Sequence, residues 1–313
     1  MIDQRKEIEH MKTIGIGIQD FAKIADKNMF YIDKTAFLKE WWENQDSVTL
    51  ITRPRRFGKT LLMSMTDYFF SVNHSDCKKY FEGLDIWKEE KFRELQGTYP
   101  VIFMSFADIK GSTYEKTRMG IIHKITKLYT DFEFLKRTGV LSGRDLEFYD
   151  SVSVDMGDDV AGIAIQYMCD YLRRYYGKNA LVLLDEYDTP LQEAYVNDYW
   201  KELADFIRSL FNSTFKTNPY LERGLLTGIT RVSKESIFSD LNNLEVVTTT
   251  SEKYSTSFGF TEKEVFQVLE NNGLSSEKEN IRYWYDGFSF GKRKDIYNPV
   301  SYTHLTLPTT SRV

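Results

Sequence analysis

Apolar and polar positions along the chain alternate between two periods. Val48-Thr49-Leu50-Ile51 is a short apolar run that reads as a buried strand. Val101–Phe106, Ala180–Leu184 and Gly224–Ile229 read the same way, with Glu245–Thr249 as a further candidate. Helical spacing fills the intervals. Leu61, Leu62, Met65, Tyr68 and Phe69 follow the first run, and in Tyr199–Phe215 the stripe Leu203, Phe206, Ile207, Leu210, Phe211 falls at i, i+3, i+4, i+7, i+8. A Trp-rich apolar stretch, Ala36–Trp42, predicts a helix before the first strand. Strands alternating with helices predict an α/β fold, with helical cover on a mostly parallel sheet.

The pattern divides the chain. Residues 1–46 read as an N-terminal adaptor segment, 47–250 as the α/β core and 251–298 as a small helical C-terminal region. In that last region Thr261 and Glu264 form a capping-box signature ahead of Val265, Phe266, Val268 and Leu269. Its aromatic cluster, Tyr283, Trp284, Tyr285 and Phe288, reads as core rather than as a base-stacking surface. Between Asp131 and Asp159 periodicity weakens and acids accumulate, which predicts an insertion or a mobile loop with a solvated face. From Val300 onward the residues read as an in-frame translation of a transposon-type sequencing adapter. Residues 300–313 are therefore expected to be an artefact on a truncated gene product, and are set aside from fold reasoning.

Two segments carry candidate chemistry. Arg53-Pro-Arg-Arg-Phe-Gly-Lys-Thr60 stands between the first strand and a helix, where backbone N–H groups and the helix N-terminus favour an anion. In G-x-x-x-x-G-K-[ST] the first glycine falls at Arg53, so only Gly58-Lys59-Thr60 of the motif is present. Lys59 would reach terminal phosphates and the Thr60 hydroxyl would ligate Mg²⁺. The second segment, Ala180–Leu184, runs into Asp185-Glu186-Tyr187-Asp188. Carboxylates at the C-terminal end of a buried parallel strand lie in the ligand crevice of an open α/β sheet. There Asp185 would hold the metal and Glu186 would polarise an attacking water. Arg231, after the strand candidate at 224–229, would pair with phosphate oxygens in a fork geometry.

Composition limits the alternatives. Hydrophobic residues make up 42% of 313, enough for a sizeable core, and a net charge of −5 gives no global pull toward nucleic acid. Two cysteines, Cys77 and Cys169, make neither a disulfide framework nor a metal site. The four histidines lack ligand spacing. No apolar run is long enough for a membrane span and the charged N-terminus lacks a signal-peptide core, so a cytoplasmic address is the default expectation.

Together these residues resemble the AAA-ATPase-like family of bacterial and archaeal P-loop NTPases. The likeness runs from about Ile14 to Asn298 through Gly15–Phe21, Tyr31–Thr35, Thr52–Thr60, Phe103–Phe106, Leu184–Pro190, Gly228–Ser239, Phe258–Thr261 and Trp284–Phe288. An arginine in place of the first glycine is typical of that family. The resemblance implies a P-loop three-layer sandwich that binds ATP with Mg²⁺. Arg53, Arg55, Arg56, Phe57, Gly58, Lys59 and Thr60 would lie at the nucleotide, and Thr60 and Asp185 at the metal. Glu186 would act in hydrolysis, with Arg231 or an arginine from a neighbouring subunit stabilising developing charge. It also implies a C-terminal nuclease-like domain of the PD-(D/E)XK kind beyond this chain. Three readings stay open: an ATPase coupled to an effector, a switch that binds ATP or GTP with negligible hydrolysis, and a degenerate interaction domain that binds no nucleotide. The spelling Asp-Glu-Tyr-Asp also invites a helicase reading, but neither a second helicase-like core nor a basic channel is visible.

Overall fold

The apolar runs become one sheet. In a computed structural model, which describes residues 13, 15, 17–230, 237–238, 240–285 and 287–299, five strands form it: β1 (Val48–Thr52), β2 (Val101–Ser105), β3 (Ala180–Asp185), β4 (Leu221–Gly228) and β5 (Leu244–Val247). Their order is β2-β3-β4-β1-β5 and every neighbouring pair is parallel. The expectations placed on Arg231 and on residues 300–313 lie outside the described residues.

β1 and β3 are buried at every position, which is why their sequences show unbroken apolar runs instead of alternation. Successive side chains still part to opposite faces. Leu181 and Leu183 join a core built with α1 (Phe21–Asp26), α2 (Ala36–Asn44), α3 (Lys59–Phe70) and α4 (Glu90–Leu95). Val182 and Leu184 join the opposite core, built with α5 (Tyr114–Asp131), α6 (Gly143–Ser151), α7 (Asp158–Tyr176), α8 (Thr189–Val196) and α9 (Trp200–Phe211). The result is the three-layer α/β sandwich expected of a P-loop protein. The stripe Leu203, Phe206, Ile207, Leu210, Phe211 is wholly buried against it.

The acidic stretch 131–159 differs from its expectation. It holds a short helical turn, Glu133–Arg137, and α6, and it buries Leu135, Leu141, Tyr149, Val152 and Met156 in the α5–α9 core. Its acids are mostly exposed, as a solvated face requires, Glu147, Asp150, Asp155, Asp158 and Asp159 among them. Asp145 closes a capping box with Ser142 and pairs with Arg174 at 2.8 Å, and Asp158 pairs with Arg118.

The C-terminal region carries helices, α10 (Glu262–Asn271, with the Thr261–Glu264 capping box) and α11 (Lys278–Tyr285). Beside them lies a small antiparallel sheet that hydrophobic periodicity did not predict, ordered β6-β8-β7 from β6 (Phe260–Thr261), β7 (Phe288–Phe290) and β8 (Arg293–Tyr297). Tyr254, Phe258, Phe290 and Ile296 pack into the α1–α4 core. Of the aromatic cluster, Tyr283 is 80% exposed and Phe288 40%, so these two are not core; the side chains of Trp284 and Tyr285 lie outside the described residues.

Gly224 shows how tightly the sheet is covered. After α9 the chain makes a π turn, Asn212–Lys216, that lays the Phe215 ring on β4. A Cβ at Gly224 would sit 2.8 and 2.9 Å from that buried ring and 3.2 Å from Val48 Cγ1. Gly224→Ala is therefore expected to lower stability by about 1–3 kcal/mol. Urea denaturation checks this: the midpoint should fall with the slope unchanged.

Candidate functional site

β1 ends at Thr52, β3 at Asp185 and β4 at Gly228; β4 lies between the other two, with Thr52 level with Gly228. The loop after β1 and the acids after β3 thus meet at the C-terminal edge of the sheet, where parallel α/β sheets bind ligands.

The loop is curled and self-held. Gly58 caps α3 with φ 82°, a left-handed conformation that glycine adopts without steric cost. Arg56 takes φ 69°, which a residue with a Cβ adopts only under constraint. Lys59 is 5% exposed, and its Nζ donates to the carbonyls of Arg53 at 3.0 Å and Pro54 at 3.1 Å. Burial pushes its pKa down; the nearby carboxylates Glu186, Asp185 and Asp188 oppose that shift.

Asp185 is fully buried. Its Oδ2 accepts from Thr60 Oγ1 at 2.8 Å and its Oδ1 from Thr227 Oγ1. Burial raises its pKa, and the two threonine hydrogen bonds only partly offset this. No cluster of three or more His, Cys, Asp or Glu able to hold a metal exists among the described residues. A divalent ion at Thr60 and Asp185 would therefore take most of its ligands from phosphate and water, the habit of Mg²⁺. The buried Asp185 carboxylate, touching the Thr60 hydroxyl, fits that donor set.

The raised pKa carries a stability cost. The native state holds the Asp185 proton more tightly than the unfolded chain, so the stability that protonation gives is fully present in acid and is lost as pH rises through the raised value, leaving the cost at neutral pH. Asp185→Asn keeps the shape and removes the buried charge. It is expected to stabilise the ligand-free protein at neutral pH by roughly 1 kcal/mol or more, a gain typical of relieving a strained site. Thermal melts at pH 7 check the sign; a lower melting temperature for the variant would contradict it.

Glu186 is half-buried at φ 50°, lines the cavity, and accepts from Thr189 Oγ1 at 3.2 Å. Asp188 is fully buried, and its Oδ2 accepts from Ile229 N (3.0 Å), Thr230 N (2.8 Å), Thr230 Oγ1 (2.8 Å) and Gln192 Nε2 (2.9 Å). It ties down the segment immediately before Arg231. Sequence reasoning gave Asp188 no role, although it closes the Asp-Glu-Tyr-Asp spelling.

A cavity of about 430 Å³, a ligand-pocket size, opens from this edge. Arg55, Arg56, Gly58, Lys59, Thr60 and Glu186 form one end of it. The N-terminal segment supplies an apolar wall, Ile18, Ile24, Phe30 and Ile32, and the C-terminal region adds Ser257, Gly259 and Phe260. Neither contribution was read from the sequence as pocket; the signal lay in Gly15–Phe21 and Tyr31–Thr35. Lys34, also lining it, bridges the two segments through Glu264 at 2.8 Å and the Thr256 carbonyl at 2.9 Å.

One residue expected at the phosphates, Arg53, turns its side chain elsewhere. Arg53 is fully buried, its guanidinium 4.6 Å from the Phe290 ring centroid and 5.3 Å from that of Phe258. It donates to the carbonyls of Thr52 and Tyr254, and burial pulls its pKa down to about 10. Only its backbone carbonyl, the acceptor of Lys59, faces the loop. Phe57 is among the residues lining the cavity, while its ring is buried edge-on to Phe288 and Phe290 and anchors the loop to the small sheet. A sequence shows that charge and ring are present but not which way they point. Arg55 and Arg56 are exposed at the cavity.

A strand–loop–helix ending in Gly-Lys-Thr, beside acids on a parallel strand, defines a nucleotide-binding protein of the P-loop class. A family model described as Predicted AAA-ATPase matches residues 15–238, and the chain belongs to that family. It is also similar to an "Uncharacterized protein in vnfD 5'region" of Azotobacter chroococcum mcd 1: 27% identical over 299 residues, 92% of this chain and 50% of the relative. The chain thus spans about half the length of that curated relative. No solved structure matches. No helix among the described residues is long and apolar enough to cross a membrane.

Proposed function

We propose that the chain binds ATP in the 430 Å³ cavity and hydrolyses it with Mg²⁺, driving an effector that lies outside the residues described. The carrying observation is the hydrogen bond from Thr60 to Asp185, which puts the hydroxyl beside the lysine and the buried acid of a distant strand within one ligand's reach. Lys59, buried at the cavity end, would exchange its loop carbonyls for β- and γ-phosphate oxygens. Thr60 and Asp185 would hold the metal, which when bound neutralises charge on the phosphates. Glu186, half-buried and held by Thr189, would orient the attacking water. Arg231, directly after the Thr230 that Asp188 anchors, is our candidate for stabilising charge in the transition state, in this chain or across a subunit boundary. Arg55 and Arg56 would add cationic cover, and the apolar wall from the N-terminal segment would take the nucleoside.

In domain terms, we propose residues 47–250 as the core and 1–46 and 251–298 as segments that complete its pocket. Phosphate release from Mg–ATP tests the reading. Turnover that Lys59→Ala and Glu186→Gln both remove supports it; equal turnover in all three proteins overturns it. Tight binding without turnover would favour the nucleotide-gated switch instead.

A further inference from the structure

Among the described residues no buried anion matches the buried cation Arg53. Its side chain is fully enclosed, its Nε has no hydrogen-bond partner, and no carboxylate pairs with it among the described residues. Enclosing such a charge is costly unless something compensates. Backbone carbonyls of Thr52 and Tyr254 and the faces of Phe258 and Phe290 compensate in part. Three of these four partners belong to the C-terminal region. Meanwhile the Arg53 carbonyl is one of the two acceptors that hold the Lys59 ammonium in the ligand-free loop.

We propose that Arg53, caged by the C-terminal region, is a positioning residue of the phosphate loop whose missing counter-charge is the triphosphate itself. This rests on the reading of the cavity as a nucleotide site. The guanidinium does not touch the phosphates; it acts through the loop backbone and through space. In a medium of effective dielectric near 20, even a full charge about 10 Å away contributes more than RT, and the contribution grows with the number of phosphates. The cage makes the C-terminal region part of the site. When Lys59 leaves the Arg53 and Pro54 carbonyls for phosphate oxygens, the backbone it releases is the one fixed to Phe258 and Phe290. Occupancy is thereby conveyed to β7 and to the turn before β6.

The test uses the full chain and two variants. Arg53→Met keeps the volume and removes the charge. Phe290→Leu keeps an apolar contact and removes the π face, at a residue that does not line the cavity. Calorimetry measures affinity for Mg–AMP-PNP and for AMP. For both variants the expected result is a roughly threefold to tenfold loss of affinity for the triphosphate, the size of one or two buried cation–π contacts or one screened charge, with AMP affinity unchanged. Hydrogen exchange follows: wild-type amides at 288–297 should change protection when Mg–AMP-PNP binds, and those of Arg53→Met should not. Equal losses for AMP and triphosphate mean a merely structural arginine and overturn the inference. So does wild-type triphosphate affinity in Arg53→Met, with Phe290→Leu as the check if the methionine variant does not fold. A wild type that binds triphosphate and loses it on Lys59→Ala, with 288–297 unchanged, overturns this inference and leaves the nucleotide site standing. A wild type that binds no nucleotide overturns both.

Discussion

A Lys59→Ala chain is expected to hold Mg–ATP at least about a hundredfold more weakly than the wild type, because a buried ammonium makes charge-assisted bonds to a multiply charged ligand in a site of low dielectric. The size of the loss follows from the geometry. Lys59 is 5% exposed, and burial already disfavours its charged form, so the ammonium is poorly solvated before any ligand arrives. In the free loop its only hydrogen-bond partners among the described residues are two neutral carbonyls. Phosphate oxygens bring full charge in their place. The same substitution leaves those carbonyls without their donor, so the free loop should also loosen. Equilibrium titration by calorimetry gives the affinity, and a loss below about threefold would mean that the ammonium is not at the phosphates.

Glu186→Gln is expected to act on rate alone. The side chain is half-buried, lines the cavity and, among the described residues, takes one hydrogen bond, from Thr189, which leaves carboxylate oxygen for a water. Glutamine keeps the shape and the bond from Thr189 but cannot accept or bias the water's proton in the same way. Turnover should fall by about a hundredfold or more, in the range of lost general-base or water-positioning groups, with Mg–ATP affinity within about threefold of wild type. Single-turnover kinetics separate the two quantities. If affinity falls in step with rate, Glu186 belongs to binding and not to the chemical step.

The core was legible because its signals are local. Val48–Ile51 and Ala180–Leu184 are apolar at every position since both sheet faces are covered, and the loop and acids follow them directly. The stretch 131–159 was hard to read because its buried anchors, Leu135, Leu141, Tyr149, Val152 and Met156, are spaced irregularly between acids that do face solvent. The small antiparallel sheet hid because strands of two to five residues, one of them opening Arg-Lys-Asp, carry too little period to stand out. The pocket walls hid for a different reason. Ile18, Phe30 and Gly259 come together only through tertiary packing, and no spacing rule links them. Arg53 was counted as a phosphate cation because composition records its charge, whereas Phe258 and Phe290, more than two hundred positions away, decide its direction.

Crystals of the chain grown with Mg²⁺ and AMP-PNP decide whether Lys59, Thr60 and Asp185 share one triphosphate. The β- and γ-phosphates are expected on Lys59 Nζ, with the ion held by Thr60 and Asp185 in place of their present hydrogen bond. Nucleotide bound away from these three side chains, with Lys59 still on the Arg53 and Pro54 carbonyls, would contradict this expectation.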